Sequence, residues 1–129
     1  MTQKNIDAMN MVVEKMVEGE TLSQALKTVY HKRHVFIPYN DEWFDVSVMS
    51  LGMSPRATNA LMRARLTKVS EVVDYCQKNK ITEIINLGEK CGIEIFEAIL
   101  DHCWGLMTND ERTTFLIDTV ERNSLYLRA

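Results

Sequence analysis

Proline and glycine are scarce in this protein, two and five residues respectively out of 129. Alternating β-branched runs are scarce as well, so the pattern that would build sheets is missing. Methionine, which occurs eight times, recurs with leucine and alanine, all good helix formers. An all-α fold, a compact bundle of short helices, is the expectation. The three cysteines, Cys76, Cys91 and Cys103, are widely spaced and form no CxxC pair. That pattern argues against both a disulfide scaffold and a structural zinc site. No stretch approaches the ~20 apolar residues of a bilayer span. The opening MTQKNIDAMNMVVEKMVEGE carries acids throughout and lacks the apolar core of a signal peptide. The composition therefore describes a protein of a reducing bacterial or viral cytoplasm, without membrane contact.

A strong positive charge is also missing. The net charge is −3, and the total does not advertise a nucleic-acid binder. The distribution is uneven, however. Between Val46 and Ser70 the only charged residues are Arg56, Arg63, Arg65 and Lys68, whereas from Glu71 onward eleven acids face six bases. A basic patch on an acidic body suits a nucleic-acid footprint, and equally a solvated surface.

Enzymatic constellations are lacking too. There is no P-loop and no dinucleotide fingerprint. His31 and His34 stand three apart, but no carboxylate or cysteine lies nearby in sequence to complete a metal site. His102 and Cys103 are adjacent, and neighbours on a helix point about 100° apart, which disfavours a nucleophile pair. Neither an enzyme nor a cofactor is expected.

What is present reads as a string of helices. Ile6, Met9, Val13, Met16 and Val17 repeat at three and four and predict an apolar face on a first helix that stops near Gly19. Thr21 with Gln24 forms a capping-box pattern for a second helix carrying Leu22, Ala25, Leu26 and Val29. The segment HKRHVFIP loses the helical period. Val35 to Ile37 are expected to run extended before Pro38, with Trp43 and Phe44 as anchors beyond. Texture changes near residues 45 to 48. Ser54 then caps and Pro55 opens a helix to about Arg65. Thr67 caps the next, a short turn covers Thr82 to Ile85, and Asn86-Leu87-Gly88 leads into a helix from Glu89 to about His102. Thr108 with Glu111 marks a last capping box, before Phe115, Leu116 and Val120. The expected division is an N-terminal helical extension over 1–45, a central module over 46–107, and a C-terminal helix over 108–129 packing on it.

Two places in the module suit an anion. Gly88 permits close backbone approach, and the helix behind it presents unpaired N–H groups, with Lys90 adding charge; the alternative is a helix–turn–helix corner that only packs. On the Pro55 helix, Ala57, Leu61 and Ala64 form a packing face, whereas Arg56, Asn59, Ala60 and Arg63 lie elsewhere and cannot all be core. Arginine and amide side chains contact phosphates and base edges, though the same face is also what a solvated helix surface presents. The basic run KTVYHKRH, with Lys27, His31, Lys32, Arg33 and His34, either extends such a surface or is a solvated helix end.

The segments SLGMSPRATNALMRARLTKVSEVV and INLGEKCGIEIFEAIL resemble the C-terminal domain of the bacterial RNA polymerase alpha subunit, over about residues 46 to 107. Two linked signatures carry the likeness: Arg56 with Asn59, and Asn86, Leu87, Gly88 with Lys90. The resemblance implies a helical bundle related to helix–hairpin–helix modules. It also implies a surface that grips the minor groove of A/T-rich DNA and a domain that contacts RNA polymerase or transcription regulators. The DNA-binding residues it implies are Arg56, Asn59, Gly88, Lys90 and Glu94. Glu94, four residues after Lys90, is expected to orient Lys90 or Arg56. Two departures stand out: Cys91 replaces a small polar residue, often serine, and Glu89 stands where the family tends to be basic. Each would weaken a phosphate contact, and together they favour an alternative, a protein–protein adaptor that keeps the fold. The family's large assembly domain does not fit in 45 residues, so a free-standing relative of the module is expected.

Overall fold

The computed structural model describes residues 1–32, 35, 37–38, 45–79, 81–84 and 88–127. Every regular element among the described residues is helical, with a single isolated antiparallel bridge between Ser47 and Lys68. The α-helices are α1 (Gln3–Val17), α2 (Leu22–Tyr30), α3 (Pro55–Arg63), α4 (Val69–Lys78), α5 (Glu89–Leu106) and α6 (Asn109–Arg122). Single 3-10 turns cover Val48–Leu51, Ile81–Glu83 and Ser124–Tyr126. The expectation of an all-α fold holds. The molecule divides into two compact units, one built from Met1–Pro38 with Trp104–Ala129, the other from Tyr39–Cys103.

In the unit formed by the two termini, α1 packs on α2 and α6. Both expected capping boxes are in place. Thr21 Oγ1 accepts from the Gln24 N–H, and the Gln24 carboxamide accepts from the Thr21 N–H at 2.9 Å. Thr108 and Glu111 exchange the same pair of bonds at the start of α6. Each box satisfies two helix-end donors that nothing else in the helix can reach. The end of α5 is tied to α6 by Arg112, whose Nε donates to the Trp104 carbonyl at 3.1 Å while its guanidinium lies 4.8 Å from the Trp104 ring centre.

The buried face of α1 differs from the expected one. The buried residues are Asn5, Ala8 and Val12, not the row beginning at Ile6. Val13 is 42% exposed and Val17 83%. The helix carries apolar residues on two faces, so periodicity alone could not choose between them. Packing chose the side with small residues and one anchored amide. The Asn5 carboxamide donates to Ser124 Oγ at 3.0 Å and accepts from it at 3.2 Å, which removes the cost of burying it. Tyr30 is also buried, and desolvation pushes its phenol up to about 12.

The unit of residues 39–103 holds α3, α4 and most of α5. Its first described turn is pinned to the α3–α4 connection. The Val48 N–H donates to the Thr67 carbonyl and the Val69 N–H to the Val46 carbonyl, both at 2.9 Å. The sequence pattern points to Thr67 as the cap of α4, but Glu71 performs that work by reaching back. Its carboxylate accepts from the Thr67 hydroxyl at 2.9 Å, the Lys68 N–H at 3.0 Å and the Thr67 N–H at 3.2 Å. These bonds, the Thr67 hydroxyl first, hold the Glu71 carboxyl below its usual value. The short turn expected over Thr82 to Ile85 is a 3-10 turn at Ile81–Glu83. Ile85, Asn86 and Leu87 lie outside the described residues, as do Arg33, His34, Phe36, Trp43 and Phe44.

Helix α3 ends two residues earlier than expected, at Arg63, and the reason is a reversal at Arg65, which has φ 62°. The Leu66 N–H donates to the Leu61 carbonyl and the Arg65 N–H to the Met62 carbonyl, the paired closure of a Schellman motif. Glycine is usual at this position, because any Cβ there crowds its own backbone. Arg65→Gly is accordingly expected to raise thermal stability by about 0.5–1 kcal/mol. A melting temperature at or below the parent's would show that contacts of the arginine outweigh the strain.

Candidate nucleic-acid interface

Helix α3 begins with a well-built cap. Ser54 Oγ accepts from the Ala57 N–H at 3.3 Å, and Pro55 occupies the first helical position. The cap orients the helix so that Ala57, Ala60 and Leu61 are buried. Arg56 and Asn59, three apart, are left exposed. Ala60, which spacing groups with the polar face, belongs to the core. Helix α5 begins at Glu89, directly after Gly88, and the Gly88 carbonyl accepts the Gly92 N–H at 3.0 Å. Among the described residues, nothing lies within 4 Å of a Cβ built at Gly88.

Arg56 from α3 and Lys90 from the first turn of α5 line one open groove of about 700 Å³. Ser54, Cys91, Glu94 and Glu97 share its wall. Both cations are exposed, and neither pairs with an acid among the described residues. Of the five residues singled out from sequence, the groove gathers Arg56, Lys90 and Glu94. Asn59 and Gly88 are exposed but not part of its wall.

Glu94 departs from its expected role. Its Oε1 accepts from the Ser54 hydroxyl at 2.8 Å and its Oε2 from the Ser54 N–H at 3.1 Å. It orients neither Arg56 nor Lys90 directly. Two fixed donors at a helix N-terminus, where the dipole favours negative charge, outcompete two flexible cations in water. Sequence reasoning missed Ser54 as its partner, because the two are forty residues apart. Glu97 and Asp101 were missed as well, though their spacing from Glu94 continues one side of α5 along the groove. Glu89 is exposed in the first turn of α5, where a carboxylate complements the helix dipole.

Cys103 is buried, and desolvation pushes its thiol up to about 12, which keeps it from acting as a thiolate. No group of three or more His, Cys, Asp or Glu suited to a metal occurs among the described residues. His34 lies outside them, and Lys32 rests 5.1 Å from the Tyr126 ring centre. No helix among the described residues is long and apolar enough to cross a membrane.

Residues 38–101, which include both walls of the groove, match the model of the family described as the C-terminal domain of the bacterial RNA polymerase alpha subunit. The protein contains an RNA polymerase alpha C-terminal-like domain. DNA-directed RNA polymerase subunit alpha from Gracilaria tenuistipitata var. liui is 38% identical over 61 residues, 47% of the present sequence and 19% of the relative. The subunit from Thermosynechococcus vestitus is 35% identical over 63 residues, 49% of the present sequence and 19% of the relative. That from Nostoc sp. is 33% identical over 75 residues, 58% and 23% respectively. The match thus spans about a fifth of the length of these relatives. No solved structure gave a significant match. The alpha C-terminal-like domain contains α3, α4 and most of α5, so the groove lies wholly within it.

Proposed function

We propose that this protein binds DNA through its alpha C-terminal-like domain and acts in transcription or its regulation, without catalysis. One observation carries the reading: Arg56 and Lys90, from helices far apart in sequence, are exposed on one groove with no acid paired to either among the described residues. Arg56 enters a narrow A/T-rich minor groove, where the negative potential is enhanced. Lys90, the open backbone at Gly88 and the first N–H groups of α5 take a flanking phosphate. Asn59, one turn along α3, reaches sugar or backbone. Glu94 keeps its place in this surface by fixing α3 rather than by touching DNA.

The test is fluorescence anisotropy with a short A/T-rich duplex across a salt series. The parent is expected to bind with strong salt dependence. Arg56→Ala and Lys90→Ala should each weaken binding by about tenfold, the loss of one charge-assisted contact. Lys90→Ala should also make the log–log salt slope shallower by about 1. Arg122→Ala, whose guanidinium pairs with Asp118 at 3.0 Å in the other unit, serves as the unaffected control. A parent that fails to bind at ~10⁻⁴ M, the weak end of non-specific affinity, would overturn the DNA reading.

A second reading is favoured by the acidic wall. Glu97 and Asp101 line the same groove, and carboxylates repel phosphate but attract a basic segment of a polymerase or regulator. In that case the domain is an adaptor, and RNA polymerase rather than duplex DNA would retain it.

A further inference from the structure

We infer that Ser54 is a positioning residue for the DNA surface: it holds the Glu94 carboxylate away from Arg56 and Lys90 and locks α3 to α5. The inference rests on the DNA-binding reading and deepens it. Ser54 gives both of its donors to the two oxygens of Glu94, at 2.8 Å from the hydroxyl and 3.1 Å from the backbone N–H. The same Oγ accepts from the Ala57 N–H, so a single serine both caps α3 and clamps α5. Arg56 follows Ser54 by two residues, and Lys90 precedes Glu94 by one helical turn. The clamp therefore sets the spacing between the two cations.

Its second consequence is electrostatic. Glu94 lies in the wall of the groove that holds both cations. A loose carboxylate there would pair with Arg56 or Lys90 and compete with phosphate for it. Bound at the α3 N-terminus, its charge is met by Ser54 and by the helix dipole. An acid is thus compatible with a phosphate-binding face because its oxygens are already occupied.

The test uses the full-length protein with the same A/T-rich duplex and salt series. Ser54→Ala should weaken binding by about tenfold, and the carboxylate, released from the hydroxyl and left with the backbone N–H alone, should make the salt slope shallower by about 1. Ser54→Gly, which retains most of the N-cap preference while removing the hydroxyl, should behave alike and covers the case in which the alanine variant is poorly folded. Ser54→Thr keeps the hydroxyl and should rescue affinity to within about twofold. The diagnostic variant is Ser54→Ala/Glu94→Gln. Removing the loose charge should restore the salt slope, which the loss of a mere helix cap would not alter. If Ser54→Ala and Ser54→Gly bind with parental affinity and slope while Arg56→Ala weakens binding, the clamp is overturned and the DNA reading stands. If they weaken binding with an unchanged slope and the double variant is no better, Ser54 is only a cap and the inference fails. If the parent does not bind the duplex, both fall.

Discussion

Gly92→Val is expected to destabilise the unit of residues 39–103 by about 3 kcal/mol or more, and Gly92→Ala by about 1–2 kcal/mol. A Cβ at Gly92 would stand 2.8 Å from Ile81 Cγ2, closer than side-chain atoms pack. Two effects oppose each other in the alanine variant. Alanine gains about 1 kcal/mol over glycine in a helix interior. The clash costs more, because Ile81 branches at Cβ and its Cγ2 cannot swing aside without turning χ1. Valine adds two further carbons to the same contact. Ile81→Ala removes the obstructing methyl, so Gly92→Ala/Ile81→Ala should be more stable than the sum of its single variants. Chemical denaturation of the parent and these four variants would decide it. A Gly92→Ala protein more stable than the parent would mean that helix propensity wins and that α5 does not pack closely on the Ile81–Glu83 turn. The functional stake is direct, since Gly92 lies between Lys90 and Glu94 on α5.

Phe115→Ala should cost about 3–5 kcal/mol, the range for a fully buried phenylalanine. Phe115 is 1% exposed and meets Trp104 edge-on, with ring centres 6.2 Å apart and planes at 60°. That geometry places the positive ring edge against the negative face, and the pair should show a coupling of about 0.5–1.5 kcal/mol in a cycle with Trp104→Ala. Against a typical total of about 5–15 kcal/mol, the loss is a large share of stability. Urea titration of the variant is the measurement, with Leu125→Ala as its counterpart. Leu125 is 77% exposed, and its removal should stay within about 0.5 kcal/mol. A Phe115→Ala loss below that of an ordinary surface change would mean that α6 is not anchored through this ring.

Much of the fold was legible because it is local. The capping boxes at Thr21 and Thr108, the proline start of α3 and the glycine before α5 each depend on residues within one helical turn. Such groups meet whatever the rest of the protein does. The likeness of Arg56 and Asn59 with Gly88 and Lys90 to the alpha C-terminal domain was also readable, since it needs only order and spacing. The face of α1 was not readable, because that helix offers apolar residues on two sides and the choice belongs to its partners. Nor was the end of α3, where Arg65 adopts a backbone conformation that a residue with a Cβ disfavours.

The sequence by itself determined an all-helical protein, the positions of most helix starts, and a candidate DNA surface divided between two distant segments. Each of those follows from short-range backbone chemistry or from the order of residues. Only the tertiary structure decided that Arg56 and Lys90 share one groove, that Glu94 is bound to Ser54, and that a Cβ at Gly92 would meet Ile81. Those facts join residues on separate elements, and the distance between such residues is set by packing, which no local preference encodes.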